Sequence, residues 1–360
     1  MKKLMIVVTA VLFTCFSSNA YTTKEALDSC VQYAKFLQDS TSIPGMQMTI
    51  IRDGILIYSG TFGYSNITKK IPVKPYTKFR IASVSKVITA ITAMKLLEMQ
   101  KMSLDSTIQA YLPKYPVAKY PITIRELLSH TSGIRHYRDN EFSNPKHYKT
   151  MEKYLNTFMY DSLLFEPRTT SKYSSFGYLV LGSIIERITG MKFQKFVEKT
   201  ILNPLKITRT LPDDKKKDIP QRTEFYMKDD ESVIRRCPEY DVSYKIPTGG
   251  YLSTSYDIAY LCSKLLEGQV VNDSLKNLYL TPVKLKNGTD AFWTLGLRWS
   301  KHSNNKPGYF WQLGSSFGCS SAVAFSPQSS IVVCWITNMN INWSEYPVLK
   351  ILKLIENADK

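Results

Sequence analysis

The chain has 360 residues, of which 44% are hydrophobic and 21% charged, the balance of a soluble globular protein. Its 47 Lys and Arg residues outnumber 30 Asp and Glu, giving a formal charge of +17. The basic residues are spread along the chain, and the one dense run, at 213–218, is flanked by aspartates. No helix-turn-helix, RNP or zinc-finger spacing accompanies them. We therefore expect no nucleic-acid partner and interpret the charge as a solvated surface suited to anionic surroundings.

The first twenty residues have the pattern of a secretory signal peptide. Lys2 and Lys3 precede a 13-residue apolar run, and the small residues "SSNA" offer a cleavage site after Ala20. The run is too short for a stable membrane anchor, and no later segment reaches that length without charges. We predict an exported protein, periplasmic or secreted, with a signal peptide at 1–20 and a single domain at 21–360.

The cysteine and histidine spacings predict neither a disulfide scaffold nor a metal site. No Cys-x-x-Cys, HExxH or EF-hand pattern occurs, so we expect no metal and no cofactor. Cys319 and Cys334 flank one predicted hairpin and could pair, although buried thiols are the favoured interpretation. After signal cleavage the cysteines are Cys30, Cys237, Cys262, Cys319 and Cys334, and the histidines are His130, His136, His147 and His302.

The N-terminal half of the chain alternates helical and strand patterns. An amphipathic helix is predicted from residue 23, and two alternating apolar runs around Asp53-Gly54 predict a β-hairpin. A second helix follows near residue 83. Thr123 and Glu126 form a capping box for a third, which Gly133 is expected to end.

The C-terminal half begins with helices and ends with strands. An apolar helix is predicted from residue 176 to about Gly190, with further helix at 193–202. Strands are predicted at "WTLGLRW", "SSAVAFSP" and "SIVVCWITN", before a closing helix "YPVLKILKLIENA". This order predicts an α+β fold: an antiparallel sheet built from about 21–80 and 285–360, flanked by helices, with a helical lobe at about 100–245. The cleft between the lobes is the expected site.

Three Ser-x-x-Lys stretches occur in the chain, and only one begins an apolar helical pattern. Ser143 and Ser303 lie among Asn and Pro residues, which are typical of turns. Ser83 precedes a helical apolar repeat, so Ser83 and Lys86 should share one helix face. A lysine of lowered pKa can activate a serine hydroxyl. The alternative is that Ser83 is only a helix cap.

Two further stretches supply possible partners. Tyr173 stands in "SKYSSFGYLVLG" just before an apolar helix, where it is either a proton relay near Ser83 or a partly buried aromatic. Gly314 stands in "WQLGSSFGCSS" at a strand edge, where it either admits a ligand backbone or marks a bulge.

Together these stretches resemble the serine β-lactamase-related proteins, which include class C β-lactamases, D-alanyl-D-alanine peptidases and related esterases. Within that family the resemblance is greatest to the LACTB-like branch. It extends over about residues 44–340, and the segments that carry it are "KPYTKFRIASVSK", "LLSHTSGIRHY", "YSSFGYLVLG", "NPLKITRT", "DVSYKIPTGGYLSTSYDIA" and "WQLGSSFGCSS". The resemblance implies the β-lactamase/transpeptidase-like fold.

The resemblance also implies the roles of individual residues. Ser83 matches the acylated nucleophile, Lys86 the lysine that activates it, and Tyr173 the acid/base tyrosine of a Tyr-x-Asn motif. The backbone N–H groups of Ser83 and Ser315 match the oxyanion hole. Gly314 matches the glycine of a Lys-Thr-Gly or His-x-Gly motif.

Two positions depart from the family pattern. Ser175 stands where the family has Asn, and Gln312 stands where it has a cation that helps hold the substrate carboxylate. A neutral amide binds a carboxylate less strongly than a cation does. We therefore expect an exported serine hydrolase that acts through an acyl-enzyme on a peptide-like or ester substrate and is a poor β-lactamase. The alternative is a catalytically weak or inactive relative that binds a peptide or acyl ligand.

Overall fold

The computed structural model describes residues 22–143, 148, 150–301, 307–341 and 347–358. The predicted signal peptide lies outside these ranges, as do His147, His302 and the lysines of the other two Ser-x-x-Lys stretches. Within the described ranges, no helix is both long enough and apolar enough to cross a bilayer.

A seven-stranded antiparallel sheet forms the centre of the fold, in the order β3-β2-β1-β12-β11-β10-β9. Strands from the two ends of the sequence meet where β1 pairs with β12. The strands of the described chain are β1 (Gly45–Arg52), β2 (Ile55–Asn66), β3 (Ile71–Pro72), β4 (Phe79–Arg80), β5 (Leu211–Pro212), β6 (Tyr226–Lys228), β7 (Ile234–Arg236), β8 (Tyr251–Ser253), β9 (Arg298–Lys301), β10 (Pro307–Ser316), β11 (Cys319–Ser326) and β12 (Ile331–Thr337).

Helices cover both faces of this sheet. The α-helices of the described chain are α1 (Thr23–Thr41), α2 (Ser85–Glu98), α3 (Ile108–Tyr111), α4 (Ile124–Leu128), α5 (Met151–Leu155), α6 (Ser175–Thr189), α7 (Phe193–Val197), α8 (Ile246–Gly249), α9 (Ser255–Leu266), α10 (Asp273–Leu280) and α11 (Pro347–Glu356). Short 3₁₀ segments span Ala82–Val84, Asp139–Ser143 and Ser243–Lys245, and a π-helical turn spans Glu198–Leu202.

The central strand β12 is apolar up to its last residue, Thr337, because both of its faces are buried. Val332 and Ile336 point into the larger core, which is shared with α2, α6 and α9. Val333 and Trp335 point to the opposite face and pack with α1 and α11. A strand buried on both faces loses the polar alternation of a one-sided strand. The antiparallel sheet flanked by helices confirms the predicted α+β fold class.

Local turn signals account for several predicted elements. Asp53 and Gly54 both have positive φ, 51° and 76°, as a two-residue hairpin turn requires, and they join β1 to β2. Gly190 has φ 66° and ends α6, as predicted. The Glu126 carboxylate accepts a hydrogen bond from the Thr123 N–H at 2.7 Å, which confirms the capping box of α4.

Two predicted boundaries were wrong. Gly133 does not end α4, because the helix stops at Leu128 and His130 already adopts a left-handed conformation with φ 56°. The segment "WTLGLRW" is strand only from Arg298 onward. Before it, the Thr294 N–H donates to the Leu297 carbonyl at 2.9 Å, and this bond closes a turn.

The described cysteines are all buried free thiols, so the alternative pairing of Cys319 with Cys334 is not formed. On the paired strands β11 and β12, Cys334 lies opposite Val323 rather than Cys319. Burial raises the pKa of the Cys319 thiol to about 12.

Candidate active site

The turn that carries Ser83 lies at the start of the buried helix α2. Ser83 belongs to the 3₁₀ segment Ala82–Val84, and no side chain caps α2. The interpretation of Ser83 as a helix cap therefore fails. Ala82 has φ 41°, a left-handed conformation that is costly for a residue with a Cβ atom. This turn fixes the place of Ser83, and the next turn of chain brings Lys86 onto the same side.

The Ser83 hydroxyl has two partners that can move protons. Lys86 Nζ lies 3.2 Å from Ser83 Oγ, and the Tyr173 hydroxyl donates to the same oxygen at 2.8 Å. Lys86 Nζ also donates to the Thr248 carbonyl at 2.7 Å, which fixes the position of the amine. Ser83 is thus in hydrogen-bond contact with a possible base and a possible acid.

The pKa values of Lys86 and Tyr173 are both lowered in this buried site. Lys86 is fully buried, and this burial lowers its pKa, although its interaction with Tyr173 opposes the shift. Burial alone would raise the pKa of Tyr173, but the charge of Lys86 and the hydrogen bonds that Tyr173 shares with Lys86 and Ser83 outweigh it and lower the pKa. A lysine of lowered pKa has a larger neutral fraction, the form that accepts a proton from serine.

The N-terminus of α6 holds Tyr173 in place. Ser174 is its N-cap, accepting from the Gly177 N–H at 3.2 Å and donating to the Arg135 carbonyl at 2.7 Å. His130 Nδ1 accepts from the Ser174 N–H at 3.1 Å. The His130 ring also packs on the Tyr173 ring, with centroids 4.6 Å apart. Tyr173 therefore stands on a braced helix start.

Two neutral histidines accept hydrogen bonds from backbone N–H groups at the start of α6. Burial, followed by the charge of Lys86, holds the pKa of His130 well below its ordinary value. The same causes lower the pKa of His136 to about 4, and its Nδ1 accepts from the Ser175 N–H at 3.2 Å. Because accepting at Nδ1 needs an unprotonated nitrogen, both rings act as fixed acceptors at neutral pH.

Strand β10 forms the wall on the other side of Ser83. A Cβ atom at Gly314 would lie 2.5 Å from the Ile81 carbonyl and 3.1 Å from the Ser83 nitrogen, so only glycine permits this approach. Gln312 is buried, and its Nε2 donates to the Ser83 carbonyl at 3.2 Å. Ser315 is exposed, and its hydroxyl accepts from Asn340 at 2.9 Å.

These walls line a small cleft that is open to solvent. Ser83, Ser175 and Ser315 line it, so three of the residues predicted from sequence face one space. Lys86, Tyr173, Gln312 and Gly314 lie directly behind them, through the contacts given above. The sequence interpretation did not predict a role for His130, His136 or Lys245. Of these three residues, Lys245 also lines the cleft. Both histidines lie in "LLSHTSGIRHY", a segment recognised only as a resemblance. In the described part of the chain, no group of three or more His, Cys, Asp or Glu side chains is placed to hold a metal ion.

Replacing Tyr173 by phenylalanine should lower kcat by about 100-fold or more while KM changes by less than about threefold. The reason is that the Tyr173 hydroxyl contacts Ser83 Oγ, where it can relay a proton, and the phenylalanine ring keeps the packing on His130. Steady-state kinetics on a chromogenic ester measure both constants. Tyr279→Phe is the control, since its buried hydroxyl has no hydrogen-bond partner among the described residues and does not line the cleft. A higher KM with unchanged kcat would make Tyr173 a binding residue.

The known proteins similar to this chain include a human mitochondrial protein and several solved structures. The chain is 28% identical over 332 residues to the human mitochondrial serine beta-lactamase-like protein LACTB, in a match covering 71% of this chain and 60% of that protein. The chain therefore spans about three-fifths of that relative's length.

Solved structures at lower identity share the fold. EstCE1, a hydrolase with promiscuous acyltransferase activity, superposes with a TM-score of 0.78 at 22% identity, covering 92% of this chain and 98% of that one. A D-stereospecific amidohydrolase from Streptomyces sp. superposes with a TM-score of 0.76 at 22% identity, covering 90% and 98%.

The family assignment rests on a match along most of the sequence. The Beta-lactamase family model matches residues 31–352, which include the Ser83 turn, the α6 start and strand β10. This confirms the resemblance stated from the motifs. The chain belongs to the Beta-lactamase family, whose members are generally serine hydrolases.

Proposed function

We propose that this protein is an exported serine hydrolase that cleaves an ester or amide through an acyl-enzyme at Ser83. The observation that carries the proposal is the double contact of Ser83 Oγ, with Lys86 Nζ at 3.2 Å and the Tyr173 hydroxyl at 2.8 Å. Export is supported by the pattern of the first twenty residues alone. Cleavage after Ala20 would leave Tyr21 first, which N-terminal sequencing of the mature protein can read.

Acylation follows from these contacts. Neutral Lys86 takes the proton of Ser83 Oγ as this oxygen attacks the substrate carbonyl carbon, and the carbonyl electron pair moves onto its oxygen. The N–H groups of Ser83 and Ser315 would bind that oxyanion. When the bond to the leaving group breaks, the leaving group takes a proton from Tyr173, which is reprotonated from Lys86. In deacylation, Lys86 takes a proton from water as the water oxygen attacks the acyl carbon. The bond from that carbon to Ser83 Oγ then breaks, Lys86 returns the proton to Ser83 Oγ, and the acid is released.

Covalent labelling tests this proposal directly. A fluorophosphonate probe should become attached to Ser83 in the folded protein, and peptide mass spectrometry identifies the labelled serine. The absence of labelling together with tight binding of an acyl ligand would support the second candidate, a ligand-binding relative. That candidate is favoured by the neutral Gln312 and by Ser175 in place of the family Asn.

The neutral side chain of Gln312 should make the protein a poor β-lactamase. Gln312→Lys or Gln312→His would add a cation beside Ser83, and a charge-assisted hydrogen bond exceeds a neutral one by about 1 kcal/mol. We therefore expect the kcat/KM for nitrocefin, relative to that for a p-nitrophenyl ester, to rise on the order of fivefold. Gln312→Met, which keeps the volume without a charge, should give no rise. Efficient nitrocefin hydrolysis by the wild type would contradict the prediction.

A further inference from the structure

A second buried lysine lines the cleft, and the acylation chemistry does not use it. Lys245 ends the 3₁₀ segment before α8 and is only 4% exposed. It lines the same cleft as Ser83, Ser175 and Ser315. Its Nζ donates a hydrogen bond to the Phe142 carbonyl, which holds the ammonium at the wall of the cleft.

Aromatic rings surround this ammonium. Lys245 Nζ lies 3.9 Å from the ring centroid of Phe142, 5.1 Å from that of Tyr137, 5.3 Å from that of Tyr244 and 5.6 Å from that of Tyr240. Ring faces attract a cation and replace part of its lost hydration. They supply no negative charge, so the ammonium remains a centre of positive potential in the cleft.

In the part of the chain that the structure describes, Lys245 forms no ion pair with an Asp or Glu. The nearby acids have other partners: Asp241 accepts from the Ser243 N–H at 2.8 Å, Glu141 accepts from Arg135 at 2.6 and 2.8 Å, and Glu239 accepts from Arg222 at 3.0 and 3.1 Å. A buried ammonium with one carbonyl partner keeps unused capacity for an anion.

Burial without a negative counter-charge among the described residues affects the pKa of Lys245. Burial, with smaller contributions from the charges of Lys86 and Arg80, lowers its pKa to about 7. Lys245 is therefore a cation below pH 7 and loses its charge as the pH rises above 7. A bound anion would favour the charged form and restore its ordinary protonation.

Resting on the hydrolase function proposed above, we propose that Lys245 is the anion-binding residue of the cleft, and that the substrate is an ester or amide whose acyl chain carries a carboxylate. The acyl chain is the part that stays on Ser83 through both half-reactions, so a group held by Lys245 stays bound throughout. The rings of Tyr137, Phe142 and Tyr240 offer an apolar wall for the carbons in between.

This assignment explains how the cleft can lack a cation on strand β10. Gln312 is neutral and its amide is engaged with the Ser83 carbonyl, so that wall offers no charge. Lys245 supplies a positive charge from the segment before α8 instead. A carboxylate recognised there belongs to a different part of the substrate from the one that the family cation holds.

Two matched esters isolate the effect of the carboxylate. Mono-p-nitrophenyl glutarate carries a free carboxylate on its acyl chain, and methyl p-nitrophenyl glutarate has the same chain with that carboxylate masked. The succinate and adipate pairs vary the reach. At pH 6.5 we expect the wild type to prefer the free acid in kcat/KM, and Lys245→Met to lower the ratio of free acid to masked ester by about tenfold or more. Lys245→Arg should retain most of the preference.

The neutral ester and a matched lysine elsewhere serve as controls. Lys78 is half-buried and donates to the Pro220 carbonyl at 2.7 Å, but it does not line the cleft. Lys78→Met removes a similar lysine–carbonyl bond and one positive charge, and it should leave the ratio unchanged. An equal loss on both esters in Lys245→Met would assign Lys245 a structural role and overturn the inference.

The pH dependence gives an independent readout. In the wild type the ratio of free acid to masked ester should fall as the pH rises through about 7, because Lys245 loses its charge there. The titratable and charged groups around Lys245 are Lys86, Arg80, His136, Asp241, Tyr137, Tyr240 and Tyr244. Titration of Lys86 affects both esters alike and cancels in the ratio. A ratio that stays constant from pH 5.5 to 8.5 would contradict the inference.

Binding separates this inference from the hydrolase proposal. If the wild type hydrolyses neither ester and takes no fluorophosphonate label, the hydrolase proposal fails. Calorimetry on Ser83→Ala with mono-p-nitrophenyl glutarate then decides the role of Lys245. Binding that is about tenfold weaker in the double variant with Lys245→Met supports the anion site, and equal binding overturns it.

Discussion

Replacing Ser83 by alanine is expected to abolish labelling by a fluorophosphonate probe and to leave the fold intact. Ser83 Oγ contacts both Lys86 and Tyr173, and alanine removes that oxygen. The change deletes a single polar atom at the cleft wall, so circular dichroism and the thermal transition should stay close to those of the wild type. Gel fluorescence after probe treatment measures the loss of labelling.

Ser85 provides the matched control for this change. It lies two residues further on, at the start of α2, and its buried hydroxyl accepts from the Tyr251 N–H at 3.4 Å. Ser85→Ala makes the same chemical change in the same part of the chain without touching Lys86. It should label like the wild type. Undiminished labelling of Ser83→Ala would mean that the nucleophile is another serine.

Replacing Lys86 by alanine should slow acylation by about two to four orders of magnitude, the usual contribution of a positioned base. The buried amine has a lowered pKa and lies 3.2 Å from Ser83 Oγ, so it is the available proton acceptor. The rate of acylation is measured by stopped-flow burst kinetics with a p-nitrophenyl ester. The wild-type rate should rise with pH as the neutral fraction of Lys86 increases.

Two further variants separate base catalysis from packing. Lys86→Met fills the buried space without a titratable group, so it should be as slow as Lys86→Ala if the amine is the base. Lys95 lies on the same helix and pairs with Glu98 at 2.6 Å, away from the cleft. Lys95→Ala should keep the wild-type acylation rate. A loss below about threefold in both Lys86 variants would place the base elsewhere.

Local signals predicted much of the fold. The Asp53-Gly54 turn, the capping box at Thr123 and the αL residue Gly190 are each decided within a few residues, so their effect is readable from sequence. The failures came from competition between signals. The left-handed His130 ended α4 before Gly133 could, and a turn from Thr294 to Leu297 interrupted an apolar stretch that resembles a strand.

The candidate site divides along the same line. Ser83 and Lys86 are three residues apart, so helical geometry alone predicts their contact. The role of Tyr173 could be predicted only from the family resemblance, because nothing in the local sequence shows that its hydroxyl reaches a serine 90 positions away. Lys245 could not be predicted. Its proposed role depends on burial among rings from separate segments of the chain. The residues next to it in the sequence do not show that this lysine, one of many, is buried.

The left-handed backbone of Ala82 places stability and activity in opposition at one residue. An L-residue in this region costs roughly 1–2 kcal/mol, whereas a whole domain is stable by about 5–15 kcal/mol. Glycine would relieve that strain, but it would also let the turn sample positions in which Ser83 no longer faces Lys86. Selection for thermal stability alone would therefore favour glycine in place of Ala82. If related proteins keep a residue other than glycine at this position, selection for catalytic turnover would explain it.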